Sequence, residues 1–216
     1  MNIEALLQQP VPGDYFAPGV YVQGDLELGT LSNRRGNRLL AIPEYLVQGI
    51  YQGLAQEIGK ASPLVLQRCG RRWGQHLFAR LAEELAEYYG KPIGELTMQE
   101  LVYCLTRCWQ VHGWGQLQFD WRYRPHGFIH VQVQHSPWVQ PGRGNGQPSA
   151  HVEVGLLETL FRQLTGREVA CVQIACISLG HGANQFLIGL PERLRTVQEQ
   201  VAAGVDAATI LAQLGG

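Results

Sequence analysis

The sequence predicts an α+β fold in which an antiparallel four-stranded sheet packs against several helices. Two observations predict it. Three segments with helical periodicity come first, and a hairpin, a further helix and a second hairpin follow them. This order favours hairpin pairing over the regular strand and helix alternation of a parallel sheet. The length of 216 residues and the hydrophobic share of 45% suit one domain with extensions, or two small domains.

The charge pattern excludes several classes of partner. Seventeen Lys and Arg residues against eighteen Asp and Glu residues leave a net charge of -1, so we expect no nucleic-acid partner. The run without charged residues from Val169 to Pro191 contains polar residues such as Gln173 and Asn184, and we expect no transmembrane segment. The start of the sequence has Glu4 and no basic cluster, so we expect no signal peptide.

The cysteine content predicts a location. Five cysteines are an odd number and are too sparse for a disulfide scaffold, so we expect free thiols in a reducing cytoplasm. The sequence has no GxGxxG after a strand, no P-loop, no GxSxG elbow and no HExxH. A non-catalytic role is therefore the expectation.

The N-terminal segment predicts an extended arm. It is rich in Gly, Pro and turn formers, and the alternation Val20-Tyr21-Val22 favours one or two short strands laid over the main domain. The basic segment from Asn33 to Arg38 is interpreted as a solvated turn, with an anion or partner contact as the alternative.

Helical periodicity begins at Pro43. Apolar residues recur every four positions at Leu46, Ile50, Leu54 and Ile58, which forms an apolar stripe along one helix face. A longer helix is predicted from the N-cap Ser62 to Gly90, with a stripe at Leu66, Cys69, Trp73, Leu77, Leu81, Leu85 and Tyr88. Gly70 and Gly74 are one turn apart within it. Because glycine costs about 1 kcal/mol in a helix, we expect an adjacent helix or a dimer partner to approach closely there.

A third helix is predicted from Thr97 to Gly113, since Glu100 stands at the capping-box spacing. The period then drops to two, which predicts a strand with Leu117, Phe119, Trp121 and Tyr123 on one face. A second strand, a glycine-rich loop, a helix, a second hairpin and a helical tail broken at Gly204 follow. The predicted bounds are 128–135 for that strand, 137–148 for the loop, 149–166 for the helix, 169–188 for the hairpin and 191–216 for the tail. The glycines of the loop suggest a mobile lid.

Cys104, Cys108 and His112 share one helix face at i, i+4 spacing. The chemical interpretation is a soft-metal site or a thioether attachment point. We favour core packing, because free cysteine is among the most buried residue types, and we expect His112 to cap the helix as a cation. For the set His126, His130 and His135 the alternatives are a ring that faces a planar ligand and half-exposed strand positions, of which we favour the second.

The last third of the chain resembles a known family. The stretch from Gly155 to Val169, the spacing of Cys171 and Cys176, and the turn from Gly180 to Phe186 are similar to the 4-vinyl reductase domain. The upstream His135-Ser136-Pro137 and Pro148-Ser-Ala-His151 agree with it. Members are small-molecule-binding modules related in fold to a Golgi-transport tethering subunit. They occur in bacteriochlorophyll biosynthesis proteins, in aromatic-sensing regulators and in cyanobacterial proteins linked to photosystem assembly, which is the type that the sequence most resembles.

The resemblance also bears on zinc, because some members bind it through three cysteines and an acidic residue. Cys176 matches one of those cysteines, whereas Asn184, Ala150 and Gln173 stand at the other positions. One thiolate cannot complete a four-ligand zinc site, so we expect no zinc. The remaining candidate ligands are Cys176, His151 and His181, with Cys171 facing the other side of its strand.

The resemblance implies a division of the chain and a function. We expect an arm over 1–37, a ligand-binding domain over 38–190 and a helical tail over 191–216. The domain would bind an apolar small molecule, with tetrapyrroles as the leading class, or act as an assembly factor in photosynthetic complex biogenesis. A homodimer and photosystem assembly proteins are the expected partners.

Periodicity supplies the candidate pocket walls. They are Trp73, Phe78, Trp109, Trp121 and Phe128, with His130 to orient the ligand. Two alternatives stay open. Reduction of a tetrapyrrole vinyl group would need a hydride source, for which the sequence has no dinucleotide fingerprint. A ligand-free interaction module would use the arm and the Gly70/Gly74 face.

Overall fold

The helices and strands follow the predicted order. The computed structural model describes residues 11–139 and 146–215, and half of the predicted lid loop, residues 140–145, lies outside them. The helices are α1 Pro18–Tyr21, α2 Glu44–Ile58, α3 Ser62–Tyr89, α4 Met98–Val111, α5 His151–Thr165, α6 Pro191–Ala202 and α7 Ala207–Gly215. The strands are β1 Val22–Asp25, β2 Thr30–Asn33, β3 Arg38–Leu39, β4 Gln116–Asp120, β5 Phe128–Gln134, β6 Ala170–Ala175 and β7 Asn184–Gly189. Among the described residues, no helix combines the length and apolarity that crossing a membrane requires.

The main sheet confirms the predicted α+β class. It has four antiparallel strands in the order β4-β5-β7-β6, and Leu117 pairs with Val133 while Val131 pairs with Phe186. Because alternate side chains point to opposite faces, the sheet has two apolar sides. Val131 and Phe186 face a core that includes residues of α3, α4 and α5, whereas Leu187 faces α6 and α7. The sheet therefore lies between two helical layers.

The first predicted strand is shorter than its alternating pattern suggested. It ends at Asp120, and Trp121–His126 forms a 3-10 helix that Gly127 terminates with a φ of 87°. The Asp120 carboxylate accepts a hydrogen bond from the Arg122 backbone N–H at 3.0 Å and so caps this helix. The prediction of a strand over Trp121 and Tyr123 was therefore wrong.

Helices α3 and α5 are in close contact through their glycines. A Cβ atom at Gly70 would collide with the backbone carbonyl of Val152, and one at Gly155 would collide with that of Gln67. At Gly74 the Leu156 carbonyl oxygen would be 2.9 Å away. Of the two predicted explanations for the glycines, the adjacent helix is therefore the one observed.

The capping box predicted at the start of α4 is confirmed. The Thr97 hydroxyl accepts from the Glu100 backbone N–H at 3.2 Å, and the Glu100 carboxylate accepts from the Thr97 N–H at 2.7 Å. Lys91 adds an ion pair to the same carboxylate at 2.8 Å. This arrangement fixes the first turn of the helix that ends beside the candidate site.

The start of α3 differs from the prediction. Ala61, which precedes the helix, makes no side-chain cap, and Ser62 is already the first helical residue. A 3-10 turn, Gly59–Ala61, joins α2 directly to α3. Because the chain is already helical before Ser62, Ser62 is not an N-cap, and that prediction was wrong.

The N-terminal arm is part of the core. Tyr15, Phe16 and Tyr21 are buried against α3 and α4, and the three short strands of the arm form a second antiparallel sheet. Asn33 donates to the buried Glu84 carboxylate at 2.6 Å. Pro18 favours a helical turn at its first position, so Val20 and Tyr21 belong to α1 rather than to the predicted strand. The domain boundaries at 37 and 190 stay predictions.

Candidate functional site

An apolar cavity of about 580 Å³ lies between α2, α3 and the segments that join the helices to the sheet. Its volume falls within the range of ordinary ligand pockets. Leu46, Ile50 and Leu54 of α2 form one wall, so most of the stripe predicted for this helix faces the cavity. No residue of α2 is fully buried. This wall is therefore held by fewer packing contacts than α3 or α5.

Three tryptophans are among the aromatic residues of the lining. The ring of Trp73 is 4.6 Å from that of Trp114 and 5.1 Å from that of Trp138, with edge-to-face geometry in both pairs. Trp109 lies behind them in the core, 5.5 Å from Trp114. Such walls offer large flat surfaces at low conformational cost, which suits a flat apolar guest.

His112 connects the cavity to the arm. Its Nδ1 lies 2.7 Å from the Cys108 carbonyl oxygen, and because a carbonyl only accepts, Nδ1 carries the proton. Its Nε2 is then an acceptor, 3.4 Å from both the Tyr21 hydroxyl and the Arg80 guanidinium. Burial lowers the pKa of His112 to about 4, so the ring is neutral at physiological pH. It caps α4 as predicted, but not as the cation that we expected.

The two cysteines beside His112 are packed in the core. Cys104 and Cys108 are both buried, and burial raises the pKa of Cys108 to about 12. Within the described part of the chain, no three His, Cys, Asp or Glu side chains cluster in a way that could hold a metal ion.

A second, smaller cavity of about 300 Å³ adjoins the first. Tyr51, Leu66 and Trp138 line both, so they form the shared wall. His151 lines the smaller cavity, and burial lowers its pKa. No Lys or Arg is among the described residues that line either cavity. The described lining of the combined space therefore carries no Lys or Arg charge.

The shared wall contains polar atoms without partners. The Tyr51 hydroxyl and the Trp138 Nε1 are shielded from solvent, and no described residue offers either a hydrogen bond. The Glu153 Oε1 is also buried without a partner among the described residues, although Glu153 lines neither cavity, and its carboxyl is close enough to raise the pKa of Tyr51. Burial raises the pKa of Glu153 itself to about 8, so its carboxyl is mostly protonated at neutral pH.

Some members of the family that the sequence resembles bind zinc at the final hairpin. In this protein the polar side chains at those positions are engaged in hydrogen bonds within the chain. Gln173 accepts from the Ala150 N–H at 2.9 Å, and Asn184 donates to Glu153 at 2.7 Å. Asn184 also accepts from the Ile177 N–H, at 3.0 Å. With the two amides engaged and Cys176 as the single thiol, these residues do not fit a four-ligand zinc site.

The remaining candidate ligands do not converge. Cys176 is buried next to the Ser178 hydroxyl at 3.0 Å. His151 faces the smaller cavity at the start of α5, and His181 is exposed on the hairpin turn. Cys171 is buried, and burial raises its pKa.

Of the six predicted ligand contacts, Trp73 lines the large cavity. The other five lie elsewhere, because periodicity identifies an inward face without showing which interior it enters. Phe78 and Trp109 pack in the main core, Trp121 stacks on Phe119 at 5.6 Å, and Phe128 faces the second core. A role for these residues in binding stays a prediction.

His130 is buried within the sheet and does not reach the cavity. Its Nε2 lies 3.1 Å from the Gln185 amide oxygen, and its Nδ1 lies 3.5 Å from the Asp120 carboxylate. Burial lowers the pKa of His130. His135 stands one residue past β5 with a φ of 55°, and His126 lies in the 3-10 helix. Our preference for half-exposed strand positions was therefore wrong for all three histidines.

Several lining residues are not among the predicted pocket walls. Tyr51, Trp114 and Trp138 come from three distant segments, and no spacing rule connects them. Helical periodicity had indicated that Trp73 and Leu54 face the interior. For the other lining residues, the signal in the sequence was the presence of aromatic residues near the two hairpins.

The sequence and fold can be compared with known proteins. The family model of the 4-vinyl reductase domain matches residues 129–190. The matched stretch runs from β5 to the end of β7. It confirms the resemblance to this domain for the stretch concerned, without specifying the cyanobacterial type. No curated protein matches the sequence.

Two of the similar solved structures share the fold, with TM-scores of 0.50 or more. The phenol-responsive sensory domain of the transcription activator PoxR, crystallised with phenol, has a TM-score of 0.62 at 12% identity. The match covers 86% of this chain and 92% of that one. A trafficking protein particle complex subunit 3 from Naegleria fowleri, covalently bound to palmitic acid, has a TM-score of 0.50 at 15% identity, with 68% and 93% covered. A vinyl-4-reductase family protein from Methanocaldococcus jannaschii has a TM-score of 0.43 at 14% identity, with 69% and 82% covered.

Proposed function

We propose that the chain binds a flat, apolar small molecule in the cavity between α2 and α3, without transforming it. The observation that supports this most is the size of the cavity, about 580 Å³, combined with its tryptophan walls. An interior of this size lined by aliphatic and aromatic side chains gains free energy when a ligand displaces its water. The fold shared with a phenol-responsive domain is consistent with this use.

The ligand class and the setting are finer proposals. A tetrapyrrole or its precursor, bound in the course of photosynthetic complex biogenesis, is the class that the sequence resemblance suggests. Assembly proteins and a second copy of the chain would then be partners. Exposed apolar side chains near α2, such as Leu40 and Tyr45, are compatible with a protein contact.

A binding titration tests the proposal. Pyrene serves as a fluorescent probe of a flat apolar guest, with phenol and protoporphyrin IX as competitors. Leu54 lines the cavity, so Leu54→Trp fills it and should weaken pyrene binding about tenfold or more. Leu64→Trp is the control, because Leu64 is exposed and does not line the cavity.

The outcomes separate the alternatives. Pyrene binding that Leu54→Trp reduces and Leu64→Trp preserves supports the proposal. Displacement by protoporphyrin IX supports the tetrapyrrole class, and displacement by phenol alone contradicts that class. Absence of pyrene binding, or equal binding by the two variants, overturns the cavity as the site.

A further inference from the structure

A separate cleft lies at the opposite end of β5 from the large cavity. It has a volume of about 270 Å³ and is lined by residues from the start of β5, the end of β7, the end of α5 and the start of α6. The large cavity is lined by residues that follow β5, such as His135 and Trp138. Since β5 has seven residues, about 20 Å of extended chain separates the two places. None of the described residues lines both, so the cleft is a site of its own.

Five apolar side chains are among the described residues that line this cleft. Phe161, Val169 and Ile188 are buried, and Ile129 and Leu190 are partly buried. The volume lies just below the range of ordinary ligand pockets, so the occupant is a small molecule with one or two rings or a short acyl chain. Covering this apolar surface with the body of a ligand releases water and favours binding.

Arg193 is held at the cleft by the turn that precedes β5. Its Nη1 donates a hydrogen bond to the His126 carbonyl oxygen at 2.7 Å. The guanidinium also lies against Gly127, where a Cβ atom would be 2.9 Å from the guanidinium carbon. Gly127 itself lines the cleft, which places the guanidinium at its edge. A guanidinium has five N–H donors, so donors remain for a ligand beyond the bond to His126.

The described lining of the cleft carries positive charge alone. Arg167 is its second cation, and no Asp or Glu is among these residues. Within residues 11–139 and 146–215, no ion pair joins Arg167 or Arg193 to a carboxylate. Glu168, the neighbour of Arg167, pairs with Arg162 instead, at 2.5 Å. An anion in the cleft therefore meets two cations that no carboxylate of the described chain neutralises, and charge-assisted hydrogen bonds of this kind are strong.

We propose that this cleft binds a small monocarboxylate with an apolar body, such as an aromatic or short-chain acid. Arg193 binds the carboxylate, Arg167 adds positive charge, and the apolar side chains cover the ring or chain. The described lining of the large cavity has no Lys or Arg, so the two sites differ in the charge of the ligand that they favour. The proposal goes beyond the proposed function and does not depend on it.

Two probes of matched shape test the proposal. They are 2-naphthoate and its neutral analogue 2-naphthamide, titrated into the wild-type chain by isothermal titration calorimetry at pH 7. The carboxylate should bind about tenfold more tightly than the amide, because it gains a charge-assisted hydrogen bond to a guanidinium. Added sodium chloride should weaken the binding of 2-naphthoate and leave that of 2-naphthamide unchanged, since the salt screens the charge interaction.

Substitutions of the two arginines locate the effect. Arg193→Gln should weaken 2-naphthoate binding about tenfold, and Arg167→Glu, which reverses an exposed charge, should weaken it at least several-fold. Arg195→Gln and Arg195→Glu are the matched controls, because Arg195 is exposed on α6 and does not line the cleft. Should Arg193→Gln fail to fold because the bond to His126 is lost, Arg167→Glu alone decides, since its side chain has no ion pair to lose.

The outcomes separate this site from the large cavity. Weakening by Arg167→Glu that Arg195→Glu does not reproduce, with unchanged affinity in Leu54→Trp, supports the proposal. Absence of 2-naphthoate binding, equal affinities for the two probes, or equal effects of the Arg167 and Arg195 substitutions overturn it. Loss of 2-naphthoate binding in Leu54→Trp assigns the probe to the large cavity and also overturns it. Pyrene binding tests the proposed function independently and should be unchanged in Arg167→Glu.

Discussion

At the scale of single residues, Cys69 is a reporter of the cavity. It lines the cavity and is the exposed cysteine of the chain, whereas the other four are buried. A thiol reagent such as DTNB should therefore modify Cys69 quickly in the folded protein and the other four only after unfolding. Under the proposed function, saturating pyrene should slow the fast reaction several-fold, because the ligand covers the rim.

The control for this prediction is Cys69→Ser, which should remove the fast reaction completely. The released thionitrobenzoate absorbance measures both stoichiometry and rate. A fast phase that persists in Cys69→Ser, or a second thiol that reacts at the same rate, would contradict the burial of the other cysteines.

Glu153 makes the stability of the protein dependent on pH. Burial raises its pKa to about 8 in the folded state, whereas an unfolded Glu titrates near about 4.3. The folded chain thus retains a proton that the unfolded chain releases, and the free energy of unfolding falls as pH rises between these values. Below the unfolded pKa this contribution is fully present, and it is lost by the folded pKa.

Glu153→Gln should remove that pH dependence. The glutamine oxygen can still accept from Asn184, which donates to the native carboxylate at 2.7 Å. Between pH 5.5 and 8.5 the variant should gain on the order of 3 kcal/mol relative to wild type. Urea unfolding at several pH values measures the difference, in which the histidine contributions common to both proteins cancel. A difference that is constant with pH would show that Glu153 titrates normally.

The site illustrates what residue patterns can and cannot show. Helical spacing identified Trp73 and Leu54 as inward-facing, and both line the cavity. It could not identify Tyr51 and Trp138 as lining the same cavity, because their placement depends on how α2 packs beside α3 and the chain after β5. The zinc expectation was different in kind, since the absence of cysteines at aligned positions was visible in the sequence alone.

At the scale of secondary-structure elements, α3 and α5 show how a local cost is offset by packing. Gly70→Ala places a methyl group against the Val152 carbonyl, where backbone atoms must move. Overpacking of this kind costs about 1–3 kcal/mol. Gly49→Ala is the control, because Gly49 lies within α2 and an added Cβ would meet no atom within 4 Å.

The two substitutions should change the free energy of unfolding in opposite directions. Gly49→Ala should raise the free energy of unfolding by roughly 0.5–1 kcal/mol, as expected for alanine in place of an unconstrained helical glycine. Urea denaturation monitored by circular dichroism compares the two with wild type. A stabilising Gly70→Ala would mean that α3 and α5 are farther apart than the structure places them.

Elements whose signals are local were predicted well. The capping box at Thr97 and the strand period of β5 depend on residues close in sequence, whereas the glycines of α3 indicated a close packing contact without showing that α5 makes it. The errors occurred where a tertiary contact or a side-chain cap competes with the pattern. Asp120 ends β4 early by capping the next turn, and the 3-10 turn before Ser62 replaces the predicted N-cap.

At the scale of the whole molecule, the sheet is enclosed on both sides, by α3, α4 and α5 on one side and by the C-terminal helices α6 and α7 on the other. Leu194 and Ile210 of the C-terminal helices are fully buried in the second core. On the other side, Phe16 and Tyr21 of the arm are fully buried against α3 and α4. Within the described residues, Phe16 and Tyr21 of the predicted arm and Leu194 and Ile210 of the predicted tail are therefore structural parts of the fold.

The arm should consequently unfold together with the rest of the protein. Phe16→Ala removes a fully buried ring, which costs about 3–5 kcal/mol in a packed core. Leu26→Ala is the control on the same arm, because Leu26 is 99% exposed and its loss should change stability by less than about 0.5 kcal/mol.

Two probes decide whether this loss is global. Tryptophan fluorescence follows the core around Trp109, and far-ultraviolet circular dichroism follows all helices. If the arm belongs to the cooperative unit, both probes should report one transition with the same lowered urea midpoint in Phe16→Ala. If instead the arm undocks alone, the tryptophan fluorescence that is sensitive to the region of Tyr21 and His112 would change at lower urea than the circular dichroism of the helices. The main transition would then stay at the wild-type urea midpoint. The second outcome would also imply that the hydrogen bond between Tyr21 and His112 can open without unfolding the domain, so that the arm could move when a ligand enters the cavity.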